Sequence, residues 1–391
     1  MKKAIVIIPT YNEKGNIGKF IAELENEVFP QINSYEMNIL IVDDSSPDGT
    51  AEIVEELRKK YSNLHILRDG EKEGLGAAYV RGMSHAIDKL AGDVLFEIDA
   101  DFSHDPHKIP EFLQKIDEGY DFVIATRYSA GGSIPSDWGF MRKVYSVMGN
   151  LMARAILMRF YIHDWTGGYR AIKKEVFMKV KNDLTQFKGY TFQVAFLHKA
   201  IQQGYKVAEV PIHFVDRTRG KSKVATRDFI TNTLVYLVRE RLKELRKSPF
   251  MKYAITGFLG YIINALSLEF FADILVWAPF IAGIFAAELS IIWNFIVNNA
   301  WAFSHHKITS KSKFLVKFLQ FNFVSLGSVL INSTIIYFGT TWFGNTVLVR
   351  QISLIIAIGF FVVPYSYTMY NIFIWKRWHI SFLSRFQKMV G

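Results

Sequence analysis

Over the first ~215 residues, short apolar runs alternate with amphipathic stretches. Residues 4–10, 38–44, 64–69, 93–100, 121–127 and 206–214 have the length and apolar content of buried strands, and 17–27, 51–60 and 77–90 have helical periodicity. This alternation predicts an α/β fold, a mostly parallel sheet with helices on both faces. Ligands of such sheets bind beyond the carboxyl ends of the strands. Polar clusters fall there: Thr10-Tyr11-Asn12-Glu13, Asp43-Asp44-Ser45-Ser46 and Asp99-Ala100-Asp101. The Gly-, Ser- and Pro-rich stretch 130–137 reads as a mobile loop, and 217–223 as a basic one.

The pattern then changes. Residues 228–249 form a basic amphipathic linker suited to a membrane surface. Four apolar spans follow, at about 252–271, 276–303, 318–340 and 347–375, each near or above the ~20 residues that cross a bilayer. The expected organisation is therefore a front domain over 1–227, the linker, and an all-α transmembrane domain with four helices over 250–391.

Charge supports that division. From residue 250 onward the acidic residues are Glu269, Asp273 and Glu288 against ten Lys or Arg, so this part carries +7 of the formal +10. The excess cations crowd before the first span, between the second and third, and after the fourth. By the positive-inside rule both termini and the front domain are cytoplasmic. The basic balance thus belongs to the membrane half and does not signal a nucleic-acid partner. The apolar run at 4–9 is too short for a signal peptide. Cysteine is absent, which excludes disulfides, a zinc–thiolate cluster and a thiol nucleophile.

The strongest chemical signal is Phe96-Glu97-Ile98-Asp99-Ala100-Asp101. Alternate residues of an extended chain face the same way, so Asp99 and Asp101 can address one ligand. Hard oxygen donors of this kind suit Mg²⁺ or Mn²⁺ beside a diphosphate. A lone Asp-x-Asp is more often a solvated turn, but here it stands in a series. Ile8-Pro9-Thr10-Tyr11-Asn12-Glu13, Val42-Asp43-Asp44-Ser45-Ser46-Pro47-Asp48-Gly49, Gly74-Leu75-Gly76-Ala77-Ala78 and Asp99-Ala100-Asp101-Phe102-Ser103-His104-Asp105-Pro106 occur in order. Together they resemble the GT-A glycosyltransferases of family 2. The later elements Ala125-Thr126-Arg127-Tyr128, Asp164-Trp165-Thr166-Gly167-Gly168-Tyr169-Arg170, Gly189-Tyr190-Thr191-Phe192-Gln193, Phe214-Val215-Asp216-Arg217 and Gly220-Lys221-Ser222-Lys223 narrow the resemblance. They are similar to the dolichol-phosphate mannose synthases and their polyprenyl-phosphate relatives, over about residues 3–235. The tail resembles the small membrane domain fused to some of these enzymes.

The resemblance implies a metal-dependent inverting transferase that moves a sugar, with GDP-mannose the favoured donor, onto dolichyl or polyprenyl phosphate. It implies that Pro9, Tyr11, Glu13, Val42 and Asp44 line the nucleoside pocket. Asp99, Ala100 and Asp101 would meet the diphosphate, Asp101 with Asp99 and Ser103 would hold Mg²⁺ or Mn²⁺, and Arg217 and Lys223 would close over the donor. Arg127, Arg142 and Ser146 would receive the acceptor phosphate. That phosphate, largely ionised near neutral pH, can attack the sugar directly, so no protein nucleophile or obligatory base is assigned. His104 and Asp105 fit a helix start at Asp105-Pro106 better than acid–base roles.

The alternatives are the same reaction with UDP-glucose or another UDP-sugar, and a lipid-linked sugar carrier with a nucleotide-sugar-binding module. A processive synthase is disfavoured because no Gln-x-x-Arg-Trp element occurs. Gly74-Leu75-Gly76 lacks the third glycine of a dinucleotide fingerprint and reads as a tight helix start. Glu288, alone in an apolar span, is either functional or bonded to an asparagine of a neighbouring helix.

Overall fold

The computed structural model describes residues 1–68, 74–187, 190–216, 227–344 and 346–378. The chain divides into two compact units, Met1–Arg241 and Leu242–Gly391.

The first unit is built on seven strands: β1 (Lys2–Thr10), β2 (Tyr35–Asp43), β3 (Leu64–Leu67), β4 (Val94–Glu97), β5 (Phe122–Thr126), β6 (Arg170–Lys173) and β7 (Val207–Pro211). Their order is β3-β2-β1-β4-β6-β5-β7. All neighbours pair in parallel except β6, which runs antiparallel to β4 and β5. The core is therefore a mixed, mostly parallel GT-A-like sheet. Sequence periodicity gives no sign of β6, because its first residue, the fully buried Arg170, interrupts the apolar run expected of a buried strand.

Side-chain alternation on β1 explains the layering. Ala4, Val6 and Ile8 face one core, with α1 (Ile17–Glu23) and α4 (Ile109–Asp117). Ile5 and Ile7 face a second core, with α3 (Leu75–Asp88), α6 (Lys174–Leu184) and α7 (Tyr190–Gln202). Helix α2 (Thr50–Arg58) covers β2 and β3 through Val54, and α5 (Phe140–Leu157) joins the second core through Ala153 and Leu157. The helix start at Gly74 is as tight as its glycines suggest. Gly74 has φ +101°, and a Cβ on Gly76 would stand 2.9 Å from Phe192. The stretch 130–137 is tied down: Ser133 N–H donates to the Ile212 carbonyl, and Phe214 N–H donates to that of Ser133, both at 3.0 Å.

The basic helix α8 (Arg227–Lys247) bridges the division in sequence. The second unit is all-α: α9 (Pro249–Glu269), α10 (Pro279–Val297), α11 (Lys311–Phe343), α12 (Val347–Ile356) and α13 (Val363–Met369), the last two joined by the π-type turn Ala357–Val362. Where hydropathy predicts four spans, two helical segments among the described residues are long and apolar enough to cross a membrane, Lys311–Phe343 and Ala357–Ile374. The helices α9 and α10 carry polar groups turned inward, with Thr256 and Ser290 buried and the Ser290 hydroxyl donating to the Gly260 carbonyl at 2.8 Å. Asn299 acts as a fastener, a role that suits a polar group in an apolar bundle. The Asn299 amide exchanges hydrogen bonds with both backbone groups of Ile308 and accepts from Trp375 Nε1 at 3.2 Å, while Trp375 stacks on Phe303 at 4.1 Å. Glu288 is half-buried on α10.

One contact tests the packing of α3 on the sheet. A Cβ on Gly82 would lie 2.7 Å from Ile7 Cγ2 and 2.8 Å from Val42 Cγ2, and overpacking of this kind costs about 1–3 kcal/mol. Gly82→Ala is expected to lower the melting temperature of the full chain in detergent. An unchanged temperature would argue against this packing.

Candidate functional site

The order β3-β2-β1-β4 places β1 between β2 and β4, so the chain reverses its direction of winding beside β1. Ligands bind such sheets at this switch point. The turns after β1, β2 and β4 lie along that edge, and each holds one non-glycine residue in the left-handed region: Asn12 at φ +65°, Ser45 at +56° and Phe102 at +58°. Such conformations are uncommon and cluster at functional sites. Periodicity carries no trace of them.

Hydrogen bonds stitch the first two turns together. The Asp43 carboxylate accepts from the Thr10 hydroxyl at 2.8 Å and from both the N–H and hydroxyl of Ser46, whose Oγ in turn accepts from Asn12 N–H at 3.0 Å. Glu13 N–H donates to the Thr50 hydroxyl at 3.0 Å, and the Asn16 amide donates to the Glu13 carboxylate at 2.8 Å. Pro9 pairs with Val42 across the two strands. Tyr11 projects outward, 40% exposed. Asp44 is buried and accepts from Arg81 of α3 at 2.5 Å. Arg81 is a cation that sequence reasoning passed over, since one arginine in a helical pattern carries no signal.

The third turn holds Asp99, Ala100, Asp101 and Ser103. Asp101 and Ser103 are buried, and Ser103 N–H donates to Asp101 Oδ1 at 3.0 Å. Asp105 caps the next helical turn by accepting from His107 N–H at 2.9 Å, in keeping with a helix start. Among the described residues no three His, Cys, Asp or Glu side chains gather as a closed metal cluster. Two carboxylates with a buried serine hydroxyl make an open, all-oxygen donor set, which fits Mg²⁺ or Mn²⁺ if substrate oxygens and water supply the remaining ligands.

Beneath this turn lies Glu97, fully buried like its cross-strand partner Arg170. Their closest approach is 3.7 Å, and Arg170 donates to the carbonyls of Gly167, Gln193 and Trp165. Burial pushes the Glu97 carboxyl up and Arg170 draws it back, leaving it at about 7.

The residues expected to meet the acceptor form a second group. Arg127, at the end of β5, grips Asp164 through Nε at 2.6 Å and a terminal nitrogen at 2.9 Å, and it also donates to Thr166 Oγ1 at 2.8 Å. Burial raises the Asp164 carboxyl, but the Arg127 charge and hydrogen bonds from Arg127 and Thr166 more than offset that, holding it below the usual carboxylate range. The hydroxyl of Tyr128 meets that of Ser146 on α5 at 2.5 Å, and Asn150 Nδ2 donates to the Ser146 carbonyl at 3.0 Å. Arg142, one turn before Ser146, binds Asp216 through two terminal nitrogens at 2.7 and 2.9 Å, with its guanidinium 4.0 Å from the Trp138 ring. The outer face of α5 is apolar: Met141, Tyr145, Met148 and Met152 recur at helical spacing and are exposed.

A single segment joins the two groups. Val215 N–H donates to the Ser103 carbonyl at 3.3 Å, Phe214 lies edge-on to Trp138 and beneath the Arg127 guanidinium at 5.5 Å, and Asp216 holds Arg142. Arg217 and Lys223 lie outside the described residues. The roles of Tyr128, Thr166 and Asp216 rest on pairings across 18 to 74 residues, which no local pattern reveals.

Comparison with known proteins gives two family matches: residues 5–181 match glycosyl transferase family 2, and residues 252–375 match the GtrA/DPMS transmembrane domain. The latter supports an integral-membrane character. The chain is 33% identical over 332 residues to a dolichol-phosphate mannosyltransferase of Pyrococcus furiosus, covering 84% of this chain and 88% of that one. It is 36% identical over 249 residues to a polyprenol monophosphomannose synthase of Mycolicibacterium smegmatis, covering 63% and 91% respectively. A crystal structure of glucosyl-3-phosphoglycerate synthase from Mycobacterium tuberculosis is a distant likeness, with TM-score 0.43 and 17% identity over 61% of this chain and 80% of that one.

Glu97 yields a pH prediction. A carboxyl raised from 4.5 to about 7 on folding binds its proton more tightly in the native state. Its contribution to stability is therefore retained at pH 4.5 and below, and is lost as pH rises toward 7. Glu97→Gln should match the wild type near pH 4 and exceed it by on the order of 3 kcal/mol at pH 8, measured as the pH dependence of the melting temperature. Parallel profiles for the two proteins would contradict the assignment.

Proposed function

Because this chain belongs to the polyprenyl-phosphate sugar transferases of glycosyl transferase family 2, relatives of dolichol-phosphate mannosyltransferase with a fused transmembrane region, we propose that it transfers mannose from GDP-mannose to dolichyl or polyprenyl phosphate with inversion at the sugar. The observation that carries this reading is the segment at 214–216, which touches the Asp-x-Asp turn through Ser103 and the acceptor-side arginines through Phe214 and Asp216. Two anionic substrates must meet here, and repulsion between them has to be offset by fixed positive charge.

In this reading Pro9, Tyr11, Glu13, Val42 and Asp44 hold the nucleoside, with Arg81 fixing the Asp44 carboxylate. Asp99, Ala100 and Asp101 meet the diphosphate, and Arg217 and Lys223, outside the described residues, are assigned to close over the donor. Asp99, Asp101 and Ser103 would hold Mg²⁺ or Mn²⁺. A bound divalent cation supplies Lewis-acid neutralisation of the leaving nucleoside diphosphate. Arg127, Arg142 and Ser146 receive and orient the acceptor phosphate. The rigid Arg127–Asp164 grip supports the orientation that a direct displacement needs. No side chain has to remove a proton, because the attacking phosphate oxygen is already ionised.

Met141, Tyr145, Met148 and Met152 place apolar surface on the helix that carries Arg142 and Ser146. Such a surface suits an acceptor whose headgroup is attached to a hydrocarbon chain. We take the membrane region to have four spans, with both termini and the catalytic unit cytoplasmic, on the distribution of Lys and Arg between the apolar segments.

Asp101→Ala is expected to lower sugar transfer on the order of a hundredfold or more, assayed with nucleotide-sugar, Mn²⁺ and polyprenyl phosphate in detergent. Undiminished transfer would sink the metal assignment. In a screen of GDP- and UDP-sugars, GDP-mannose should place the most radiolabel in the lipid phase. A UDP-sugar that outperforms it would overturn the donor and leave the acceptor chemistry standing.

A further inference from the structure

The two acceptor-side arginines have partners of different kinds. Arg127 is held by Asp164, whose side chain is 0% exposed and which also accepts from the N–H groups of Thr166 and Gly167. That carboxylate is part of the fold. Arg142 is held by Asp216, whose side chain is 36% exposed and whose hydrogen bonds among the described residues come from Arg142.

Arg142 does not need Asp216 to stay in place. Its guanidinium lies 4.0 Å from the ring of Trp138, which is 7% exposed and packed against Phe214. Its Nε is buried without a hydrogen-bond partner among the described residues, so the terminal nitrogens are the donors that face a ligand.

We propose that Asp216 is an internal stand-in for the acceptor phosphate: it occupies Arg142 until the acceptor arrives, is displaced by it, and thereby sets acceptor affinity. The inference rests on the reading of Arg142 as an acceptor-phosphate residue. A half-exposed guanidinium–carboxylate pair is weak and readily exchanged. A phosphate monoester carries close to two negative charges near neutral pH and three acceptor oxygens, against one charge and two oxygens for the carboxylate. It can take over the two terminal nitrogens of the planar fork that Asp216 holds. It also has the Ser146 hydroxyl one helical turn away, which the Asp216 carboxylate does not use. The displaced carboxylate is left facing solvent, where its desolvation cost is small.

The test uses the full chain in detergent with saturating donor and a short-chain polyprenyl phosphate as the varied substrate. Asp216→Asn keeps the shape and removes the charge. The acceptor KM should fall about two- to fivefold, with a smaller change in the donor KM and a melting temperature close to wild type. Arg142→Ala should raise the acceptor KM, and adding Asp216→Asn to it should then have no further effect, since the two residues act through one contact. Asp216→Ser must move the acceptor KM in the same direction as Asp216→Asn. A raised or unchanged acceptor KM in Asp216→Asn, beside a raised one in Arg142→Ala, overturns the stand-in and leaves the acceptor reading intact. An Arg142→Ala enzyme with wild-type acceptor KM overturns both.

Discussion

Backbone pairing along β1 is the constraint on which the candidate site depends. With β2 in register on one side and β4 on the other, Thr10 stands opposite Asp43, and Ile7 stands opposite Glu97. Three strands therefore end together at the edge where the winding reverses. Carboxylates from separate parts of the sequence, Asp43, Asp44, Asp99 and Asp101, are drawn into one region. Like charges gathered this closely repel one another unless hydrogen bonds or cations compensate. Asp43 is compensated by hydroxyls and an amide, and Asp44 by Arg81. Asp101 of the pair after β4 accepts from Ser103 N–H, and in the proposed function this pair would also face a divalent cation.

Much of this was legible in the sequence, and the limits have physical causes. Strands and helices with clean periodicity, such as β1, β2 and α3, lie within a few residues of their expected bounds. The antiparallel β6 was hidden because Arg170 is fully buried yet reads as a surface residue. Helix α5 was hidden because its apolar residues face outward as well as inward, which blurs the amphipathic pattern. The left-handed turns at Asn12, Ser45 and Phe102 leave no compositional mark, Phe102 least of all, since it is a bulky residue packed edge-on against Phe20 at 5.0 Å. Partnerships such as Arg127 with Asp164 or Arg142 with Asp216 span 37 and 74 residues, and hydropathy does not encode them.

The second unit shows a different economy of polar groups. In an apolar bundle without water, each amide and hydroxyl needs a partner within the protein. Asn299 meets that need by serving a backbone strand of contacts at Ile308 and the Trp375 indole together. Hydroxyl pairs such as Ser325 with Tyr370 and Ser328 with Ser366 link α11 to the final helical segment at 2.9 and 2.7 Å. The stack of Phe321 on Tyr370 fills the space between them, and that of Phe303 on Trp375 ties the chain after α10 to the end of the final segment. Helices that would otherwise slide in hydrocarbon are thus held in a fixed register.

The apolar face of α5 changes how catalysis by such an enzyme should be measured. If Arg142 and Ser146 meet their ligand while Met141, Tyr145, Met148 and Met152 rest in a lipid surface, the encounter takes place in two dimensions. The relevant concentration is then the mole fraction of acceptor within the bilayer or micelle. Adding inert lipid or detergent would slow turnover at constant total acceptor, because it thins the population the helix samples.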